Sequence, residues 1–203
     1  MIIEDSFPQR SEQWYQAKAG VAGSSSFDKI VTSRGEPSKQ AREYIYQLIG
    51  EKLLGRIEES YTSFAMQTGI DREDEARQLY ELVTGQEVRQ VAMVFKNENR
   101  SVACSPDGLL NGKGLEVKCP LLKTHVKYLL DNQDLVSNYF HQVQGSLWIC
   151  GFDTWDLMSY VPGIIPLIIT VERDEKFIAK LEVEMVKFLK ELDRVYKELM
   201  EKV

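Results

Sequence analysis

Two histidines and three cysteines are all that this 203-residue chain offers to a soft metal. Cys104, Cys119 and Cys150 form no C-x-x-C pair, and neither His125 nor His141 completes a familiar ligand spacing. A zinc or iron–sulfur site is therefore not expected. The odd, scattered cysteines read instead as small thiols in buried or half-buried places. No apolar run approaches the roughly 20 residues that a membrane-spanning helix needs. The opening M-I-I-E-D-S-F-P lacks the basic and apolar regions of a signal peptide. The expectation is a cytoplasmic protein with no membrane association. Internal repeats, low-complexity tracts and evident linkers are missing too. Positive charge is also in deficit, with a formal net charge of −6. That argues against a surface coated in nucleic acid. It leaves room for an enzyme that confines its cations to a groove or a ring interior.

The composition does supply a core. Hydrophobic residues make up 43% of the chain and aromatics 10%, enough for one domain over 1–203. As far as about residue 85, cap and periodicity signals predict helices. Ser11 caps a short one with Trp14 and Tyr15, which Gly20 ends. Ser24 or Ser25 caps a second with Phe27, Ile30 and Val31. Ser38 opens a third with Tyr44, Ile45, Leu48, Ile49, Leu53 and Leu54, which stops at Gly55. A fourth spans about 62 to 84, with Ala76, Leu79, Tyr80 and Val83 inward. Strand signals follow at 88–95, 100–104, 109–110 and 115–119. Helices near 123–130 and 137–149 come next, then strands at 154–161 and 167–171. Phe177, Leu181, Met185, Phe188, Leu192, Val195 and Leu199 form a heptad-like stripe on one long final helix. Packing on the domain is the preferred reading of that stripe. The fold class is α+β, with a helical N-terminal part, a central mixed β-sheet flanked by helices, and a long C-terminal helix.

The most informative segment is S-P-D-G from Ser105, followed by L-E-V-K-C-P from Leu115. Strand periodicity puts Glu116 and Lys118 on one face and Val117 on the other. Asp107 joins them if its strand end lies alongside. Two carboxylates and an ammonium at one point suit metal-assisted phosphodiester hydrolysis. Carboxylate oxygens hold Mg²⁺, the metal polarises the phosphate, and the lysine steadies the water or the developing charge. The bland alternative is a polar hairpin in which Glu116 and Lys118 make a cross-strand ion pair. Charges in a central strand are expensive, which favours the first reading. Gly112 and Gly114 do not make a phosphate loop: a third glycine is missing and a strand, not a helix, follows. Neither a P-loop nor G-x-S-x-G occurs.

S-P-D-G with G-L-E-V-K-C-P resembles the active-site signature of the phage lambda exonuclease (YqaJ-like viral recombinase) family of PD-(D/E)XK nucleases. Further stretches are similar in order and spacing: W-Y-Q-A-K-A-G-V-A-G-S-S from Trp14, T-G-I-D-R-E-D-E-A-R from Thr68, Y-F-H-Q-V-Q-G-S-L-W from Tyr139 and V-E-R-D-E-K from Val171. The resemblance implies a restriction-endonuclease-like core. It implies Asp107 and Glu116 as metal ligands, with the Val117 carbonyl as a third, and Lys118 as the residue that positions water. It places Glu73 on metal-bound water, where the alternative is a solvated helix face. Gln142 and Tyr139 would support the site and the scissile nucleotide, or merely pack. Ser25 and Ser105 would touch phosphate, or serve as caps and turn formers. Lys18 stands where the family's phage lambda member has an arginine that receives a 5′-phosphate, and lysine lacks the bidentate fork. Lys123, with Lys127 as the alternative, would be the basic residue after the motif.

The implied activity is Mg²⁺-dependent (Mn²⁺ as substitute), processive 5′→3′ degradation of double-stranded DNA ends, releasing 5′-mononucleotides. The implied assembly is a homotrimer ring, a phage or prophage protein working beside a single-strand annealing protein in a bacterial host. The rival readings are an endonuclease on the same core and a catalytically silent DNA-end-binding module.

Overall fold

The computed structural model describes residues 1–57 and 64–202. Among the described residues, fifteen elements follow one another in an α+β order. β1 (Ile2–Glu4) leads to α1 (Glu12–Lys18), where Ser11 accepts a hydrogen bond from the Trp14 N–H and caps the helix as its sequence predicts. β2 (Ala22–Gly23) runs straight into a 3₁₀ helix at Ser24–Lys29. Neither Ser24 nor Ser25 caps this helix. Gly23 holds the cap position without a side-chain bond, and the buried Ser24 hydroxyl accepts instead from Ser146 at 3.1 Å. α2 (Ala41–Leu54) begins three residues after Ser38 and ends at Gly55 in the left-handed conformation.

α3 spans Phe64–Thr84, and the predicted start near 62 lies outside the described residues. Ala76 and Tyr80 are buried as expected, but Val83 is 58% exposed. Leu82 beside it is exposed as well, so none of the described residues covers these two side chains.

Two four-stranded sheets follow from the remaining strands. In the first, β1 and β2 join β3 (Met93–Phe95) and β4 (Val102–Cys104) in the order β1-β3-β4-β2. β1 and β2 correct the expectation of a purely helical N-terminal part. The second sheet has β5 (Gly108–Leu109), β6 (Gly114–Lys118), β7 (Thr154–Ser159) and β8 (Leu167–Glu172) in that order. β6 pairs antiparallel with β5 and parallel with β7. Between β6 and β7 the chain makes α4 (Leu122–Leu130) and α5 (Asn132–Cys150).

The pleat of β6 sorts its side chains between two helices. Leu115 and Val117 pack with Ala76 and Tyr80 of α3. Glu116 and Lys118 face α5, and both bond to Gln142. Two glycines permit this packing. A Cβ on Gly114 would lie 2.2 Å from the Trp155 ring, and one on Gly145 of α5 would lie 2.5 Å from Phe27 of the 3₁₀ helix. Val143, Leu147 and Ile149 of α5 join Phe27, Leu157 and Leu181 in the largest core cluster. Each such side chain contributes about 1.5–3 kcal/mol when fully buried.

α6 (Glu175–Met200) closes the fold, with Asp174 capping it through the Phe177 N–H at 2.9 Å. Phe177, Leu181, Met185 and Phe188 are buried, while Leu192, Val195 and Leu199 pack against the same cluster from its edge. The stripe is a packing face on the domain. Cys104 and Cys150 are buried free thiols 3.7 Å apart and Cys119 is half-buried, in keeping with the sequence reading.

Candidate active site

β5 is only two residues long, so it stops short of Val117 on β6. The Asp107 carboxylate takes over there: its Oδ2 accepts from the Val117 N–H at 2.6 Å. In a strand, the N–H and C=O of one residue point to the same edge. The Val117 carbonyl therefore also faces the Asp107 side. Gln9 steadies the link before β5 by donating to the carbonyls of Val91 at 2.9 Å and Pro106 at 2.8 Å.

Glu116, Lys118 and Gln142 form a closed polar ring. Glu116 Oε1 accepts from Lys118 Nζ at 2.6 Å and from Gln142 Nε2 at 2.6 Å. Lys118 Nζ also donates to Gln142 Oε1 at 3.2 Å. One turn earlier on α5, the Tyr139 ring centre lies 4.5 Å from the ammonium. The ion pair that competed with the catalytic reading is thus present, within one strand and inside a cleft.

That cleft is lined by Arg10, Lys18, Ser25, Glu73, Ser105, Asp107, Glu116, Lys118 and Gln142, among others. Asp107 is 8% exposed and Glu116 4%. Burial, then the nearby charges of Glu116 and Glu73, push the Asp107 carboxyl well above the ordinary carboxylate range. Burial works against the Lys118 ammonium, but Glu116 and Asp107 outweigh it and hold Lys118 above the usual lysine range.

The donor set suits a hard divalent ion. Asp107 Oδ2 and Glu116 Oε1 are taken by hydrogen bonds, while Asp107 Oδ1 and Glu116 Oε2 bond to no described residue. A buried carboxyl whose ionisation is opposed, as that of Asp107 is, is what a cation relieves. Among the described residues, no three His, Cys, Asp or Glu side chains come close enough together to hold a metal. The residues that could hold such an ion are Asp107, Glu116 and the Val117 carbonyl, with water completing the set. Mg²⁺ accepts such a set, whereas structural Zn²⁺ wants four protein ligands.

Glu73 faces the cleft from α3 and is not on a solvated face. Both of its oxygens accept from Arg10 Nη2, at 2.6 and 2.7 Å. Lys18 lies with its Nζ 4.3 Å from the Trp14 ring centre. Burial draws its ammonium below the ordinary range, with Glu51 pulling the other way. Ser105 Oγ accepts from Trp14 Nε1 at 3.2 Å, and Ser25 is an exposed residue of the cleft lining. Lys123 does not join them. It is exposed at the start of α4, away from the cleft lining. Lys127 is held by Asp134 at 2.7 Å. Sequence reasoning missed Gln9 and Arg10, which precede the Ser11 cap and carry no periodic signal. Arg10 has φ of 63°, uncommon for a non-glycine residue.

Solved structures of known proteins share this fold. An alkaline exonuclease, LHK-Exo, from Laribacter hongkongensis superposes with a TM-score of 0.84 at 28% identity, over 95% of this chain and 97% of that one. Its complex with dAMP matches equally well, with a TM-score of 0.84. A phage-related exonuclease from Haemophilus somnus gives a TM-score of 0.71 at 17% identity, over 88% of this chain and 96% of that one, a likeness of fold alone. The core is the restriction-endonuclease-like one that the S-P-D-G and E-V-K segments imply. No curated protein sequence matches the chain. The model of the YqaJ-like viral recombinase domain matches residues 13–153, which span α1 to the turn before β7 and hold Lys18, Glu73, Asp107, Glu116, Lys118 and Gln142, and the chain belongs to that family.

Proposed function

We propose that this protein is a Mg²⁺-dependent exonuclease that degrades double-stranded DNA processively from 5′ ends, releases 5′-mononucleotides and leaves 3′ single strands. The carrying observation is the pair of buried acids, Asp107 and Glu116. Each has one oxygen fixed by hydrogen bonds and one without a described partner, beside an ammonium that donates to Glu116. Family membership supports the DNA substrate. The alkaline exonuclease of Laribacter hongkongensis supports the exonucleolytic reading, and its dAMP complex supports a deoxynucleotide product.

Asp107, Glu116 and the Val117 carbonyl would hold the metal, with Mn²⁺ as a substitute. Bound there, the ion supplies Lewis-acid polarisation of the phosphate and a more acidic water. Lys118 donates to the attacking water or to a phosphate oxygen, held in place by Gln142 and the Tyr139 ring. Its bonds to Glu116 and Gln142 fit it for orientation and charge stabilisation. Glu73 accepts a proton-bearing group on the far wall of the cleft. Lys18, Ser25 and Ser105 receive the 5′-terminal phosphate.

A ring of three copies around DNA would turn the cleft, with Arg10, Lys18 and Lys118, inward, which suits a net charge of −6 on the whole chain. A single-strand annealing protein would take up the exposed 3′ strand in the cytoplasm of the phage's host. No helix among the described residues is long and apolar enough to cross a membrane.

A linear duplex labelled separately at its 5′ and 3′ termini tests polarity. The 5′ label is released first as a mononucleotide. Early loss of the 3′ label contradicts the direction, and internal fragments contradict exonucleolytic action.

A further inference from the structure

The cleft lining carries three acids, Glu73, Asp107 and Glu116, and three cations, Arg10, Lys18 and Lys118. Lys118 is committed to Glu116 and Gln142. Lys18 is a point charge over the Trp14 ring. Arg10 is the remaining cation and the only guanidinium among these lining residues. It spends a single nitrogen on Glu73, since both carboxylate oxygens accept from Nη2. Nη1 and Nε bond to no described residue, which leaves three N–H donors on a side chain that is 36% exposed. Glu73 also has Arg77 Nη1 at 4.0 Å, so it keeps a cation if Arg10 departs.

The backbone points the same way. Arg10 sits at φ 63°, a conformation that glycine adopts freely and other residues adopt at some cost. The turn into α1 alone would be better served by glycine, so the side chain is what this position provides. Arg10, Glu73 and Asp107 also line a second cavity, with Asp74, Arg77 and Gln90. Gln9, Arg10, Glu73 and Asp107 are thus common to the linings of both cavities.

We infer that Arg10 is a DNA-phosphate ligand parked on Glu73 while the cleft is empty, moving to a backbone phosphate of the bound strand. It supplies the planar fork that Lys18 lacks. This rests on the nuclease reading above.

The test is binding of a short fluorescent blunt duplex in EDTA, followed by anisotropy across a range of salt. Wild type binds with a steep salt dependence. Arg10→Gly, which suits the backbone, binds about tenfold more weakly, the scale of one charge-assisted contact. Its salt slope is shallower by about 0.9, the loss of one phosphate contact. Its thermal midpoint is no lower than wild type. Arg10→Lys restores the slope and only part of the affinity. Glu73→Gln binds several-fold more tightly, and that gain shrinks when Arg10 is also replaced. An Arg10→Gly protein with wild-type affinity and slope overturns the role of Arg10 and leaves the nuclease reading standing. Absence of salt-dependent binding in wild type removes the nuclease reading, and the role of Arg10 with it.

Discussion

The Asp107 carboxylate accepts the Val117 N–H at 2.6 Å, so the first acid of the cleft is tied to the strand that carries the second. One hydrogen bond thereby fixes the spacing of Asp107 and Glu116 and replaces a rung that β5 is too short to supply. It also sets two acids against each other in a buried place, and the resulting tension is measurable.

Asp107→Asn stabilises the metal-free protein at neutral and alkaline pH while abolishing activity. The folded state holds the Asp107 proton more tightly than the unfolded chain does. Stability is therefore unaffected below the ordinary Asp range and falls as pH rises through the raised folded value. Asparagine has no such loss and keeps an acceptor for Val117. Lys118 is shifted above its usual range, so its contribution stays level over the same window. Thermal unfolding in EDTA from pH 5 to 9 shows the two proteins diverging, at about 2–4 °C per kcal/mol for a chain of this size. Mg²⁺ raises the wild-type midpoint and leaves that of Asp107→Asn nearly unmoved. Parallel curves for the two proteins contradict the account.

Lys118→Met lowers the turnover of linear duplex by two orders of magnitude or more, the usual scale for a lost charge-stabilising donor. Mg²⁺ binding, followed by calorimetry, survives because both carboxylates remain. Gln142→Leu removes one donor to Glu116 and one acceptor for Lys118 and gives a smaller loss. If Gln142→Leu proves as damaging as Lys118→Met, the ring acts as a unit and the separate role of Lys118 disappears.

Much of this site was legible before any coordinates. Period-two alternation placed Glu116 and Lys118 on one face, and serine caps with glycine stops marked α1 and the end of α2. What escaped was set by tertiary context. β1 and β2 have three and two residues, too short to show alternation, and exist because β3 and β4 offer them edges. Glu73 lay in the acidic run 71–75, where spacing alone cannot say which carboxylate turns inward. Arg10 is defined by a left-handed backbone and a partner 63 positions away. Lys123 followed the motif in order but is exposed on α4 and is not among the residues that line the cleft.

Lys18→Ala degrades 5′-phosphorylated and 5′-hydroxyl duplexes at nearly equal rates, whereas wild type prefers the phosphorylated end. Lys18→Arg sharpens the preference by adding a bidentate fork. Competing the two labelled ends in one reaction reads this directly. An unchanged preference in Lys18→Ala moves end recognition elsewhere.

Tyr80→Phe destabilises the protein by roughly 1–3 kcal/mol, the value of a buried bond to a charged group. The Tyr80 hydroxyl donates to Asp156 Oδ2 at 2.5 Å and pins α3, with Glu73, against β7. Thr170 and Lys113 still hold Asp156, which keeps the loss moderate. Urea unfolding measures the change, and a variant as stable as wild type contradicts that anchoring role.

The most direct measurement is digestion of matched linear and closed circular duplexes with Mg²⁺, for wild type, Asp107→Ala and Lys118→Ala. The account predicts that wild type reduces the linear DNA to mononucleotides, leaves the circle intact and stops when EDTA is added. Both variants leave the linear DNA whole. Cutting of the circle at a comparable rate, or wild-type activity in either variant, contradicts it.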